Sequence, residues 1–233
     1  MEVCNLLRTI MEKNYDTFIQ PILISLVKNQ ERAGLENALK KIKQLIVANN
    51  KFEDTQKSVS SVEALNYLLY VVDVNILFNI ALGMYDFELT MFIAEKSQKD
   101  PKEYVPFLNE LKNLEENYMK YSIDKHLKRY SSALVHLSHV TGKFDEFINF
   151  AKEHELYSQA ITLFKHNSKE YKTLAKAYSE FLMTKTKYQE AGIMFSKSEN
   201  YKEALTAFIY GLNWQDVIIT TLKLKLRYKC SYF

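Results

Sequence analysis

Glycine and proline are scarce in this chain, with five and three residues out of 233. All-β sandwiches and barrels need many tight turns, and flexible linkers are rich in both residues, so neither class fits. Cysteine is scarcer still: Cys4 stands near one end and Cys230 near the other. Two cysteines so placed build neither a disulfide framework nor a metal or redox motif, which points to a reducing compartment. Long hydrophobic runs are also missing. The longest purely apolar stretch is Tyr67–Val72, and the wider window 65–82 holds Asn66, Asp73, Asn75 and Asn79, all costly in lipid. The opening Met-Glu-Val-Cys-Asn lacks the positive segment of a secretory signal. A soluble protein with no membrane partner is expected.

A dominant charge is absent as well. The formal charge is +3, but Lys223, Lys225, Arg227 and Lys229 all follow Asp216, the last acid. The body before them therefore keeps 27 of the 31 basic residues against all 28 acids, a net −1. Nucleic-acid readers carry a basic stripe or a domain pI above about 9. Here lysines such as Lys96, Lys102, Lys112 and Lys120 are scattered among glutamates, the pattern of a solvated helix face. The basic tail, 225–233, reads as a polar chain end.

What the chain does have is apolar bulk, 47% of residues, including 16 tyrosines and 14 phenylalanines against one tryptophan. Its second half repeats a motif: an aromatic residue, any residue, an acid or amide, then a small or apolar residue. The copies are Phe144–Phe147, Tyr157–Ala160, Tyr188–Ala191, Tyr201–Ala204 and Trp214–Val217, and their starts are 13, 31, 13 and 13 residues apart. Self-similarity at such periods marks stacked supersecondary units. Three copies extend by one more turn, as Tyr157/Ala160/Phe164, Tyr188/Ala191/Phe195 and Tyr201/Ala204/Phe208. That spacing places an aromatic, a small residue and a second ring on one helical face, and the small residue lets a neighbouring helix come close. The fold class expected is all-α, an α-solenoid of antiparallel helix pairs resembling tetratricopeptide repeats.

The remaining periodicity organises the chain into four segments. Residues 1–60 read as helices with faces Leu6/Ile10, Phe18/Ile22/Leu26 and Leu35/Leu39/Ile42/Leu45, followed by a polar loop at 49–61 in which Ser60 or Ser61 caps the next helix. Residues 61–139 are dense in helix punctuation. Gly83 closes a segment, Asp86 is a candidate N-cap, and Asp100-Pro101-Lys102-Glu103 combines a cap, a proline at the first helical position and an acid three residues on. Pro106 leaves two options open: a kinked helix from Pro101, or a separate turn with the helix starting at Pro106. Stripes Phe107/Leu111/Leu114/Tyr118 and, capped by Ser122, Ile123/Leu127/Tyr130/Leu134/Leu137 follow. Residues 140–224 form the repeat array, with helices expected near 143–152, 156–166, 168–183, 187–197, 200–210 and 213–224 and links of two to four residues. Val217, Ile218, Ile219, Leu222, Leu224 and Leu226 run apolar toward the chain's end, where such arrays carry a polar cap, so a piece of a longer solenoid is expected.

Catalytic chemistry is not evident. No P-loop, GxGxxG, GxSxG, HExxH or CxxC pattern occurs. Of His126, His136, His139, His154 and His166, only His136 and His139 have a metal-sharing spacing, and no cysteine or acid stands beside them at ligand distance. Surface or partly packed imidazoles are the better reading. Glu115 and Glu116 are adjacent on a helix and point apart. Asp73 fits a helix cap better than a perturbed acid, and the repeat tyrosines fit a core better than a base-stacking platform. Catalytic, cofactor and metal residues are expected to be none.

A specific resemblance lies in residues 71–139. The strings Val71-Val-Asp-Val-Asn75, Leu82-Gly-Met-Tyr-Asp-Phe87, Ala94-Glu-Lys-Ser-Gln-Lys-Asp-Pro-Lys-Glu-Tyr104 and Pro106-Phe-Leu-Asn109 closely resemble the largest subunit of the Elongator complex, the IKAP family. Asn117-Tyr118, Ile123-Asp-Lys125, Leu127-Lys-Arg-Tyr130 and His136-Leu-Ser138 continue it, and the resemblance runs from about 62 to 222. It implies a non-catalytic scaffold, cytoplasmic and also nuclear, within the complex that modifies the wobble uridine of tRNA. The implied partners are the catalytic radical-SAM and acetyltransferase subunit and the propeller subunit. Only the helical arm of that family is matched. Its β-propellers, homodimerisation region and basic tRNA-contacting segment have no counterpart here, so dimerisation and direct tRNA contact are not implied. The other reading, from a different class, is a generic solenoid adaptor of the vesicle-coat or peptide-binding type.

Overall fold

The computed structural model describes residues 10–11, 15–28, 32–51, 61–97 and 100–230. Among them the chain is all α, with fourteen helices and no strand, as the composition required. It divides into two compact units, Met1–Lys128 and Arg129–Phe233.

The first unit comprises α1 (Tyr15–Val27), α2 (Arg32–Lys51), α3 (Ser61–Val71), α4 (Val74–Gly83), α5 (Phe87–Lys96), α6 (Pro101–Lys112) and α7 (Glu116–His126). Its larger core gathers Ile22 and Leu23 of α1, Leu39 and Ile42 of α2, Leu65 and Leu68 of α3, Leu77 of α4 and Ile93 of α5. A second core joins Phe78 and Leu82 to Tyr104, Leu108, Leu111 and Ile123. Three aspartates punctuate these helices. Asp73 accepts the Asn75 backbone N–H at 2.7 Å, Asp86 that of Leu89 at 3.1 Å and Asp100 that of Lys102 at 2.9 Å. Each satisfies a helix-start donor that would otherwise lack a partner, a contribution of about 1 kcal/mol.

Several expectations need correcting here. Phe18 is half-exposed rather than part of the α1 stripe, because α1 breaks its helical geometry at that residue (φ −112°, ψ 19°). Helix α2 continues through Asn49–Lys51, residues read as loop, while 52–60 lie outside the described residues, as do Leu6 and Ser60. Ser61 is the first residue of α3. Of the two options for Pro106 the structure takes the helix that starts at Pro101: it runs Pro101–Lys112 with Pro106 inside it, and no separate helix starts at Pro106. Ser122 is no cap; it sits within α7 and donates its hydroxyl to the Tyr118 carbonyl at 2.9 Å. The stripes 107–118 and 123–137 are each cut in two, at Asn113–Glu115 and Leu127–Arg129.

One buried polar contact ties the first unit together. Asp124 on α7 is fully buried and accepts a hydrogen bond from the Tyr85 hydroxyl at 2.8 Å. Tyr85 occupies the turn between α4 and α5, so this bond fixes that turn to α7.

The second unit comprises α8 (Tyr130–Ser138), α9 (Phe144–Glu153), α10 (Tyr157–Thr162), α11 (Lys169–Thr184), α12 (Tyr188–Lys197), α13 (Tyr201–Tyr210) and α14 (Trp214–Cys230). Every aromatic that opens a motif copy is the first residue of a helix. The acids two positions later, Glu146, Glu190, Glu203 and Asp216, thus fall in first turns, where the helix dipole favours negative charge. The fourth residue turns inward: Phe147, Ala160, Ala191 and Ala204 are buried. The 13-residue period has a simple origin, since α9, α12 and α13 each have ten residues and a three-residue link follows.

Those links share one geometry. Glu155, Thr186, Glu199 and Leu212 have φ of 54°, 59°, 62° and 54°, the left-handed region. The next residue's N–H then reaches back to the carbonyl five positions earlier: Leu156 to Ala151, Lys187 to Leu182, Asn200 to Phe195 and Asn213 to Phe208, at 2.9–3.0 Å. This is the Schellman closure, which glycine normally serves. Non-glycine residues pay about 1–2 kcal/mol there, and a β-branched side chain is the least suited. Thr186→Gly should therefore stabilise the protein by about 0.5–1 kcal/mol, after about 0.5–1 kcal/mol of added chain entropy is deducted. Calorimetry should show a melting temperature higher by roughly 1–4 °C; a decrease would contradict this account.

Copy two departs from expectation. Helix α10 ends at Thr162, not near 166, and the six-residue stretch 163–168 follows. Phe164 consequently leaves the α10 face and packs back on α9, edge-on to Phe144 and Phe147 at 5.6 and 5.2 Å. Ser168 then starts α11 by accepting the Tyr171 N–H at 3.0 Å. The 31-residue interval is thus one short helix, a longer loop, the 16-residue α11 and the three-residue link 185–187.

Candidate interaction surfaces

The chemistry-bearing side chains are spread out rather than gathered. Among the described residues no three of His, Cys, Asp or Glu are placed to hold a metal ion. His136 lies in the last turn of α8 and His139 is its C-cap. The other histidines pack on rings: His126 against Phe107 at 4.9 Å, His166 against Tyr171 at 4.6 Å, and His154 stacked flat on Tyr130 at 3.8 Å. Asp73 is a cap, as argued above, and Glu115 and Glu116 straddle the start of α7.

Altered acidities have ordinary causes. Lys120 holds the exposed Glu116 carboxyl below the usual carboxylate range through a hydrogen bond and its charge. Burial, with Glu155 and Glu180 nearby, raises Tyr157, and burial raises Tyr171. A raised tyrosine pKa means the folded state keeps its proton more tightly than the unfolded chain does. Stability from these groups is complete below the unfolded value of about 10 and declines above it. A circular-dichroism titration from pH 9 to 12 should show helix loss beginning above pH 10, and Tyr157→Phe with Tyr171→Phe should delay it.

Three surfaces can receive a partner. In the first unit a groove of 380 Å³ has an apolar floor of Ile46, Phe87, Met91 and Phe92. Lys43 forms an ion pair with Asp86 at one side, and Lys112 lies 5.7 Å over the Phe87 ring. The second unit has a shallow cleft along one edge of its helices, between the start of α12 and the α13–α14 link. Tyr188 and Tyr210 meet there at 5.7 Å, and Gln189 donates to the Gly211 carbonyl at 3.4 Å. Further along the same edge, Lys185 pairs with Glu155 at 3.1 Å. The third surface is a patch on α13 and α14. Ile209, Tyr210, Leu212, Trp214, Ile218, Ile219 and Leu222 are all exposed, Leu212 by 72% and Trp214 by 62%. Helix α14 packs against α13 through Val217 and buries Thr220, so its opposite side carries the stripe. The sequence marked Trp214, Ile218, Ile219 and Leu222 through the motif and the apolar run, but only the structure shows that they face solvent, and it adds Ile209, Tyr210 and Leu212.

No single helix among the described residues is long and apolar enough to cross a membrane. Helices α3 and α4 reach that length together, but they are bent by 119° and contribute Leu65, Leu68 and Leu77 to the core.

Comparison with known proteins covers nearly the whole chain. A family model described as ELP1 alpha-solenoid matches residues 1–111, and one described as ELP1 TPR domain matches residues 118–229. The putative elongator complex protein 1 of Xenopus laevis is 44% identical over 225 residues, 96% of this chain and 19% of its own length. Elongator complex protein 1 of Oryctolagus cuniculus is 43% identical over 226 residues, again 96% of this chain and 17% of that protein. The Saccharomyces cerevisiae protein of the same name is 29% identical over 222 residues, 93% of this chain and 16% of that protein. This chain therefore spans about a fifth of the length of these relatives.

Proposed function

This chain belongs to the Elongator complex protein 1 family, and from that membership we propose that it is a non-catalytic scaffold segment. In this reading it helps hold the subunits of the complex that modifies the wobble uridine of tRNA, in the cytoplasm and the nucleus. The observation that supports it most is the family match running through both helical units, together with exposed apolar surface in each. Stacked helices bury one face against neighbours and leave the other free for partners. The partners proposed are the radical-SAM and acetyltransferase subunit and the propeller subunit. The near-neutral body, with lysines interspersed among glutamates, favours protein partners over nucleic acid.

Affinity purification of the tagged chain from cells, with identification of the co-purifying proteins, tests the reading. Recovery of both subunits is the expected outcome. Recovery of coat or peptide-bearing proteins in their place would favour a generic adaptor.

A further inference from the structure

The groove of the first unit is walled by α2 and α5, and both helices line it with the same spacing. From α2 come Lys43, Ile46 and Val47; from α5 come Glu88, Met91, Phe92 and Glu95, at positions i, i+3, i+4 and i+7. Seven residues bring a helix back to within about 20° of its starting direction, so Glu88 and Glu95 stand in line about 10.5 Å apart, with Met91 and Phe92 between them. Both glutamates are exposed, Met91 and Phe92 are half-buried, and Val47 is 45% exposed. The other charges of the groove are engaged. Lys43 is paired with Asp86, and Lys112 lies over the ring of Phe87, which is about 100° round α5 from Glu88. Among the described residues neither Glu88 nor Glu95 has an ion-pair partner. The groove thus offers an apolar floor and two uncompensated negative charges along one wall.

We propose that this groove receives an amphipathic helix of a partner protein, with lysine or arginine at positions i and i+7 and large apolar residues at i+3 and i+4. Laid along α5, such a helix sets each base against one glutamate while its apolar pair covers Met91, Phe92 and Val47. An extended strand does not match. Two of its residues about 10 Å apart are three positions apart and point to opposite faces, so one base would miss its acid. A phosphate backbone is repelled by the same two charges, which excludes nucleic acid as the occupant. A second copy of this chain lacks the pattern. No lysine or arginine in the sequence has apolar residues three and four positions on and another base seven positions on; Lys43, followed by Ile46 and Val47, meets Asn50 there. The proposal rests on the scaffold reading only in taking the occupant to be a protein partner.

The full chain is titrated into a fluorescein-labelled, alanine-based helical peptide carrying Lys-x-x-Leu-Leu-x-x-Lys, with fluorescence anisotropy as the readout. Two comparison peptides have glutamates in place of the lysines, or a proline just after the leucines. A saturable rise is expected with the first peptide, and binding about tenfold weaker with the glutamate peptide. The proline peptide should bind as weakly, because its helix is broken. Glu88→Lys combined with Glu95→Lys should invert the order of the lysine and glutamate peptides, with an unchanged circular-dichroism spectrum because both side chains are exposed. Met91→Ala, which trims the floor and removes no charge, should weaken both. No saturable rise, equal affinity for the lysine and glutamate peptides, undiminished binding of the proline peptide, or an order that the double substitution leaves unchanged would each overturn the proposal. Co-purification separates the two readings. If the doubly substituted chain recovers every protein that the unaltered chain does, the groove is wrong and the scaffold stands. If the unaltered chain recovers no Elongator subunit, the scaffold reading fails and the peptide titration still judges the groove.

Discussion

Phe147→Ala is expected to destabilise the second unit by about 3–5 kcal/mol, the range for truncating a buried phenylalanine. Phe147 is among the largest fully buried side chains, and it occupies the motif position that holds alanine in the next three copies. Its ring lies parallel to Phe144 and receives Phe164 edge-on at 5.2 Å. Truncation removes an edge-to-face pair and leaves a void that neither neighbour can fill, because Phe164 is already displaced from its own helix. A melt of the variant should fall by roughly 10 °C, given about 2–4 °C per kcal/mol for a chain of this size. A loss below 1 kcal/mol would mean that the 163–168 loop collapses into the space. Phe147→Leu, which keeps most of the volume, should recover more than half of the stability.

Gly192→Ala is expected to destabilise as well, against the usual sign. A glycine inside a helix ordinarily costs about 0.5–1 kcal/mol relative to alanine, so the substitution would normally help. Here an added Cβ would stand 2.5 Å from the buried Phe208 ring of α13. Ala191, Ala204 and Ala207 pack in the same core as Phe208, so the ring cannot simply turn away. Overpacking of this kind costs about 1–3 kcal/mol, which outweighs the propensity gain. Chemical denaturation of Gly192→Ala should show a net loss of about 1–2 kcal/mol. In a Phe208→Leu background the same change should be neutral or stabilising, because the obstructing ring is gone. Equal effects in both backgrounds would remove the contact from the explanation.

The sequence made some levels of this structure legible and concealed others. Helix starts were readable where a side chain marks them: Asp73, Asp86 and Asp100 are caps, and each repeat aromatic opens its helix. The buried alanines were readable because their spacing from the aromatic is fixed. Helix ends were harder. Left-handed closure usually announces itself through glycine, and here glutamate, threonine and leucine occupy those positions with no local signal. The breaks at Asn113–Glu115 and Leu127–Arg129 were hidden for a related reason, since the apolar rhythm continues in step across both. Phe164 was misplaced because spacing records the face a residue would have if the helix continued, and α10 does not continue. The surface patch was half legible. Its α14 residues Trp214, Ile218, Ile219 and Leu222 read as apolar from the start, while their exposure depends on which side of α14 the α13 helix covers.

The three-residue links carry a mechanical consequence. A hinge needs residues that can exchange one backbone conformation for another, and these links have none to spare. In each, all three backbone N–H groups reach back to carbonyls of the preceding helix, and one residue is held at a dihedral its side chain does not prefer. From α11 to α14 every link repeats the same left-handed closure, so the direction of each helix is tied to that of the helix before it. Inserting one residue into any link would re-aim all the helices beyond it, an angular error that grows with distance. The array behaves as a cut key rather than a string of beads, and its length can be read as accuracy of placement.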